Sequence, residues 1–130
     1  MNVLDLLLKS GRGELTDEDA ARWLRRALQR HCDGEPLDRA LKIDGASLIR
    51  ARNMALIEAS DALTGAMVIT PWERALALER AVRRFRTRIW PRCRLDPALP
   101  LGPADDALHR AFRTGRQIPG TARRLFDLLK

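Results

Sequence analysis

The sequence predicts an all-α fold, a compact single-domain bundle of six or seven helices over residues 1–130. Apolar residues recur at spacings of three and four along most of the chain, as on the buried side of a helix. Helix-start signals precede several of these segments. Tyrosine is absent and no long run alternates between polar and apolar residues, so strands are not expected. A chain of 130 residues is long enough to bury a core without disulfides or metal.

The N-terminal part of the chain predicts two helices. Asn2 is a suitable cap for the first, whose apolar side carries Val3, Leu4, Leu7 and Leu8. Thr16 caps the second, and acidic residues follow in its first turn, where they favour the helix dipole. This helix is expected to end near Cys32. Its inward side is expected to hold Ala20, Trp23, Leu24, Ala27, Leu28 and His31.

The middle of the chain predicts a short helix over 36–43, a turn at Asp44-Gly45 and a longer helix over 47–63. The clearest start signal is the segment TPWE at 70–73, which has a threonine cap, a proline in the first helical position and a capping-box glutamate. The apolar stripe that follows consists of Ala75, Leu78, Val82, Phe85 and Ile89, and Pro91 is expected to end the helix.

A proline-rich internal loop is predicted over 91–103, followed by two further helices. They are expected near 104–114 and 121–129. The last of them would bury Ala122, Leu125, Phe126 and Leu129 on one side.

The charge distribution singles out one window of the chain, residues 80–94. The whole chain has 24 Lys+Arg and 17 Asp+Glu, a net charge of +7. The window contains seven arginines and no acid, so the rest of the chain is neutral overall. Arginines four residues apart on a helix repel one another, so stability alone does not account for this cluster. The candidate binding residues are Arg80, Arg83, Arg84, Arg86, Arg88, Trp90, Arg92 and Arg94.

Two classes of anionic partner fit such a window. One is nucleic acid, with DNA favoured over RNA, bound through its phosphates and with Trp90 as a candidate for base stacking. The other is an acidic protein surface, which would make the chain an inhibitor or adaptor. A third interpretation needs no partner, because acidic residues elsewhere in the chain, such as those at 14–19, could neutralise a solvated face.

A second candidate site lies in residues 36–56, where a short helix, a glycine turn and a longer helix give a helix-turn-helix-like outline. The second helix would present Ser47, Arg50, Arg52 and Asn53, side chains of types that contact base edges or phosphates. The fit is incomplete, since Leu41 and Asp44 occupy positions where a small and an apolar residue are usual. Two ordinary packed helices are the alternative.

Catalytic and metal-binding patterns are weak. The only histidines and cysteines are His31, His109, Cys32 and Cys93, and no pair of them has the short spacing of a zinc module. No cofactor motif is present, so we expect a protein that is not an enzyme and binds neither metal nor cofactor. No apolar run is long enough to cross a membrane and no signal peptide is recognisable, which predicts a cytoplasmic protein.

The segments TPWERALALERAVRRFRTRIWPR at 70–92 and RTGRQIPGTARRLFDLL at 113–129 resemble small accessory proteins carried by prophages of GC-rich proteobacteria. The resemblance covers the C-terminal half of the chain and includes no catalytic motif. It implies a mobile-element regulator or a modulator of a host factor. Together with the arginine window, it leads us to expect a small basic accessory protein that binds nucleic acid, or else one that binds an acidic protein surface.

Overall fold

A computed structural model describes residues 1–130 and contains helices but no strands, which confirms the all-α prediction. Six helices have eight or more residues. In chain order the helices are α1 (Val3–Gly11), α2 (Asp17–Cys32), α3 (Leu37–Ala40), α4 (Gly45–Thr64), α5 (Pro71–Arg84), α6 (Trp90–Leu95), α7 (Pro103–Arg113) and α8 (Ala122–Leu129), with a π-helical turn at Phe85–Ile89 between α5 and α6. None of the helices has the length and apolar character needed to span a membrane.

The chain divides into two compact units, Met1–Ala51 and Arg52–Lys130. In the first unit the predicted caps are present. The Asn2 side chain accepts a hydrogen bond from the Asp5 N–H at 2.9 Å, and the Thr16 hydroxyl accepts one from Asp19 at 3.1 Å. The single domain predicted over residues 1–130 stays a prediction.

The buried side chains of the first unit differ from the predicted ones. Leu6 and Leu8 are the buried residues of α1, and Leu7 is 61% exposed. In α2 only Ala27 is buried, while Leu24 and Leu28 are 40% and 45% exposed and His31 is also exposed. Helical spacing correctly predicted that α2 is amphipathic, but how much of its apolar side is covered depends on the neighbouring helices.

The predicted helix over 36–43 is much shorter in the structure, where α3 is a single turn ending at Ala40. Lys42 takes a left-handed conformation with φ 58°. The Lys42 N–H donates to the Arg39 carbonyl and the Ile43 N–H to the Asp38 carbonyl, which closes the helix end. Glycine or asparagine usually occupies this position, so a lysine there gave no sequence signal.

The second unit is built around α5. The complete capping box forms at Thr70 and Glu73, with Pro71 in the first turn, as predicted. The predicted stripe is confirmed: Ala75, Leu78, Val82 and Phe85 are buried and Ile89 is half-buried. This side packs in a core with residues of α4, α7 and α8, among them Leu56, Leu108 and Leu125.

The helix does not end at Pro91, and in this respect the prediction was wrong. The Trp90 N–H donates to the Phe85 carbonyl, five residues back, and the chain continues as α6 through Leu95. In a regular α-helix the proline ring clashes with the carbonyl four residues before it, and the wider π turn leaves room for the ring. The irregular segment therefore begins after Leu95, and the first part of the predicted 91–103 loop is helical.

Candidate nucleic-acid interface

The seven arginines of the window lie on α5, on the π-helical turn and on α6, and all seven are exposed. We call them the arginine cluster. Hydrogen bonds and ring contacts within the second unit divide the cluster into three kinds of side chain.

Two members of the cluster are paired with carboxylates. The Arg83 Nη2 lies 3.3 Å from Glu79 Oε1, one helical turn earlier on α5. The Arg84 Nη2 donates to both carboxylate oxygens of Asp105, at 2.9 Å and 3.0 Å, near the start of α7. Glu79 also accepts a hydrogen bond from the Ala122 N–H at the start of α8. These two arginines thus have partners that belong to the fold.

A second kind of side chain in the cluster, represented by Arg86, has an aromatic neighbour. The Arg86 guanidinium lies over the Phe112 ring, 5.7 Å from its centroid. Trp90 is half-buried, with ring centroids 6.3 Å from Phe85, 5.7 Å from His109 and 5.6 Å from Phe112. Trp90 therefore packs partly against the core, which reduces the ring surface that a base could stack on.

Four arginines of the cluster have neither a carboxylate partner nor an aromatic one: Arg80, Arg88, Arg92 and Arg94. Arg80 and Arg88 line a shallow open depression together with Arg83, Arg84 and Thr87. A concave surface lined by one sign of charge concentrates the electrostatic field and attracts ions of the opposite sign. This depression is the strongest candidate for an anion-binding surface in the second unit.

The side chains proposed for the second candidate site mostly form hydrogen bonds within the protein. The Arg52 guanidinium donates to the Gln117 carbonyl at 2.7 Å and to Asn53 Oδ1 at 3.0 Å and 2.6 Å. Partial burial lowers the pKa of Arg52 by desolvation. The Arg50 Nη2 donates to the Ser47 hydroxyl at 3.1 Å.

The start of α4 explains the role of Ser47. A hydrogen bond from the Ser47 side chain lowers the pKa of Asp44, and the Ser47 N–H donates to Asp44 Oδ2 at 3.3 Å. Asp44 and Ser47 thus stabilise the first turn of the helix. Because α3 has only one turn, residues 36–56 lack the two full helices of a helix-turn-helix, and that prediction is wrong in its first element.

Arginines nearer the C-terminus are also engaged in ion pairs. The Arg110 Nη2 lies 2.6 Å from Glu58 Oε2, and the Arg110 Nε lies 3.5 Å from Asp106 Oδ2. The Arg123 Nε lies 3.7 Å from Asp127 Oδ2. These pairs link residues of the second unit, whereas Arg116 and Arg124 are exposed and form no ion pair.

Glu79 and Asp105 are the site residues that sequence reasoning missed. The spacing of four between Glu79 and Arg83 is a recognisable helical ion-pair signal. No such signal existed for Asp105, which lies 21 residues from Arg84 and reaches it only through the packing of α7. No group of three or more His, Cys, Asp or Glu side chains is placed to hold a metal ion.

Comparison of the chain with protein-family models, with curated proteins and with solved structures finds no match.

Proposed function

We propose that this protein is a small accessory or regulatory protein that binds nucleic acid, with DNA favoured over RNA, through the arginine cluster. The observation that carries the proposal is the uneven pairing of the cluster. Arg83 and Arg84 have carboxylate partners, whereas Arg80, Arg88, Arg92 and Arg94 are exposed without one. Unpaired like charges on one helix are unfavourable in the free protein, and a polyanion relieves that repulsion.

The chemistry of these side chains fits phosphate. A guanidinium remains charged at any physiological pH and donates several hydrogen bonds in one plane, which matches phosphate oxygens. Each phosphate that a cation neutralises releases condensed counterions, so binding of this kind weakens steeply as salt rises. Salt dependence is consequently the property that identifies the interaction.

The test is a titration of a labelled DNA duplex and of an RNA of equal length at several salt concentrations. The unmodified protein is compared with the double variant Arg80→Gln/Arg88→Gln. We expect the variant to reduce the slope of log affinity against log salt by about two units, because two phosphate contacts are lost. Its thermal stability should be unchanged or slightly raised, since neither arginine has an internal partner.

The matched control is Arg26→Gln/Arg39→Gln, which removes two exposed and unpaired arginines outside the cluster. We expect this control to keep the affinity and salt slope of the unmodified protein. Equal losses in both double variants would mean that net charge, and not the cluster, attracts the nucleic acid. Absence of binding at low salt would overturn the proposal.

A separate observation favours the second candidate, an adaptor or inhibitor that binds a protein with an acidic surface. Between α4 and α5, Val68 is 103% exposed and Met67 59% exposed, and Trp72 at the start of α5 is 44% exposed. Adjacent exposed apolar residues of this kind are found at protein interaction sites. The test is a nuclease-treated pull-down with the unmodified protein, with Met67→Ser/Val68→Ser and with Arg80→Gln/Arg88→Gln. A protein partner that is lost with both variants would support this candidate.

A further inference from the structure

The π-helical turn changes which arginines lie on the same side of the helix. In a regular α-helix each step of four residues advances by about 40°, so four arginines spaced by four would spread over about 120°. A π turn accommodates one additional residue per turn and so sets the following residues back by roughly 90°. Here the π turn lies at Phe85–Ile89, in the middle of such a series.

The buried side of the helix shows this correction directly. Phe85 is 0% exposed and Cys93, eight residues later, is 4% exposed. Without the π turn, eight residues would carry Cys93 about 80° away from Phe85 around the helix. With it, both side chains face the same core.

On the exposed side of the same helical segment, the π turn brings the arginines back into line in the same way. Arg80, Arg84, Arg88 and Arg92 are all exposed and, with the π turn included, lie within a sector of about 50°. The row is about 17 Å long, with one guanidinium per helical turn. Arg94 is also exposed, but it lies about 200° from Arg92 around α6 and so is not part of the row.

The composition of the row indicates what kind of contact it makes. The Thr87 hydroxyl beside it donates within the helix, toward the carbonyls of Arg83 and Arg84 at 3.0 Å and 3.4 Å. The row therefore contains no asparagine, glutamine or free hydroxyl that could read base edges. It also offers little free aromatic surface, because Phe85 is buried and Trp90 is half-buried against the core, and single-strand binding depends on exposed rings for base stacking.

We infer that Arg80, Arg88 and Arg92 form a straight track for the phosphates of a nucleic acid double helix, which is bound without preference for base sequence. Arg84 lies in line with them but is already paired with Asp105. This inference rests on the proposed function and specifies its ligand. A duplex carries one phosphate charge per about 1.7 Å of its axis, a higher density than a single strand offers. Phosphate contacts position a protein on the duplex without carrying sequence information.

The experiment compares Arg92→Gln with Arg94→Gln. Both residues lie on α6, both are exposed, and both substitutions remove one charge. Each variant is titrated at several salt concentrations with two duplexes of about 20 base pairs, one GC-rich and one AT-rich, and with oligo-dT of the same length. Thermal melts of each variant establish that the fold is retained.

We expect Arg92→Gln to reduce the salt slope for both duplexes by about one unit and Arg94→Gln to leave it unchanged. The two duplexes should bind equally and oligo-dT more weakly. Equal losses for the two variants would overturn the straight track but leave the proposed function standing. Tighter binding of oligo-dT, or a strong preference for one duplex, would overturn the double-helix ligand. If the unmodified protein binds none of the three, the proposed function fails as well.

Discussion

The Arg84 guanidinium holds both carboxylate oxygens of Asp105, with Nη2 at 2.9 Å from one and 3.0 Å from the other. Arg84 belongs to the arginine row, so this contact places a negative charge beside a surface that is otherwise positive. Asp105 thus fixes the Arg84 side chain and at the same time weakens its attraction for phosphate. Arg84 has a structural role that its position in the sequence did not reveal.

We expect Asp105→Asn to strengthen binding to duplex DNA and to increase the salt slope by about one unit, because Arg84 becomes available to phosphate. The cost in stability should be about 1 kcal/mol or less, since the Arg84 side chain is more than half exposed. Duplex titration and chemical denaturation measure the two effects. Asp17→Asn, which removes an exposed acid from α2, is the control and should change affinity little. Unchanged affinity in Asp105→Asn would show that Arg84 does not contact the ligand.

Glu79 connects α5 to the start of α8. Replacing Glu79 should therefore lower the free energy of unfolding more than replacing its ion-pair partner Arg83. Glu79→Gln removes the carboxylate that accepts from the Ala122 N–H and pairs with Arg83, and we expect it to lower the free energy of unfolding by about 1–2 kcal/mol. Arg83→Gln removes only an exposed pair and should cost about 0.3–0.5 kcal/mol. Urea denaturation of both variants measures the two losses in the free energy of unfolding. Equal losses would mean that the negative charge of Glu79 adds nothing to the contact with α8, because the glutamine oxygen can still accept from the Ala122 N–H.

Phe85 should be the most sensitive position of the stripe. Its side chain is 0% exposed and its ring centroid lies 4.9 Å from that of Phe112. Phe85→Ala should destabilise the fold by about 3–5 kcal/mol, because it leaves a cavity in the core. Phe85→Leu is the control and should lose less, as it keeps most of the buried volume. A loss below about 1 kcal/mol in denaturant melts of Phe85→Ala would contradict the packing described for α5 and α7.

The two cysteines should differ in reactivity. Cys32 is exposed and Cys93 is buried, so a thiol-reactive chromogenic reagent should modify one thiol quickly and the second only on unfolding. In Cys32→Ser the fast phase should vanish. A fast phase that persists in Cys32→Ser would show that α6 opens readily, and the alignment of Arg92 with the row would then be lost for part of the time.

Much of the fold could be predicted from residues close together in the sequence. The Asn2, Thr16 and Thr70 caps and the stripe from Ala75 to Phe85 depend on hydrogen bonds and spacings within a few residues. The same local rules missed the ends of two helices. At Lys42 a residue without a turn signature adopts a positive φ, and at Pro91 a π turn accommodates the ring.

For the candidate site, too, some features could be predicted from the sequence and others depend on tertiary contacts. By itself the sequence determined that seven arginines without an acid occupy residues 80–94 of a helical segment, because composition and periodicity are properties of the chain. Only the tertiary structure decided which arginines lack a carboxylate partner, because α7 brings Asp105 to Arg84. It also decided that Trp90 is half-buried, because its ring packs against Phe112 and His109. The physical reason is that caps and helical stripes are fixed by interactions within a turn or two of helix. The pairing of a charge or the burial of a ring depends on contacts between residues far apart in the chain.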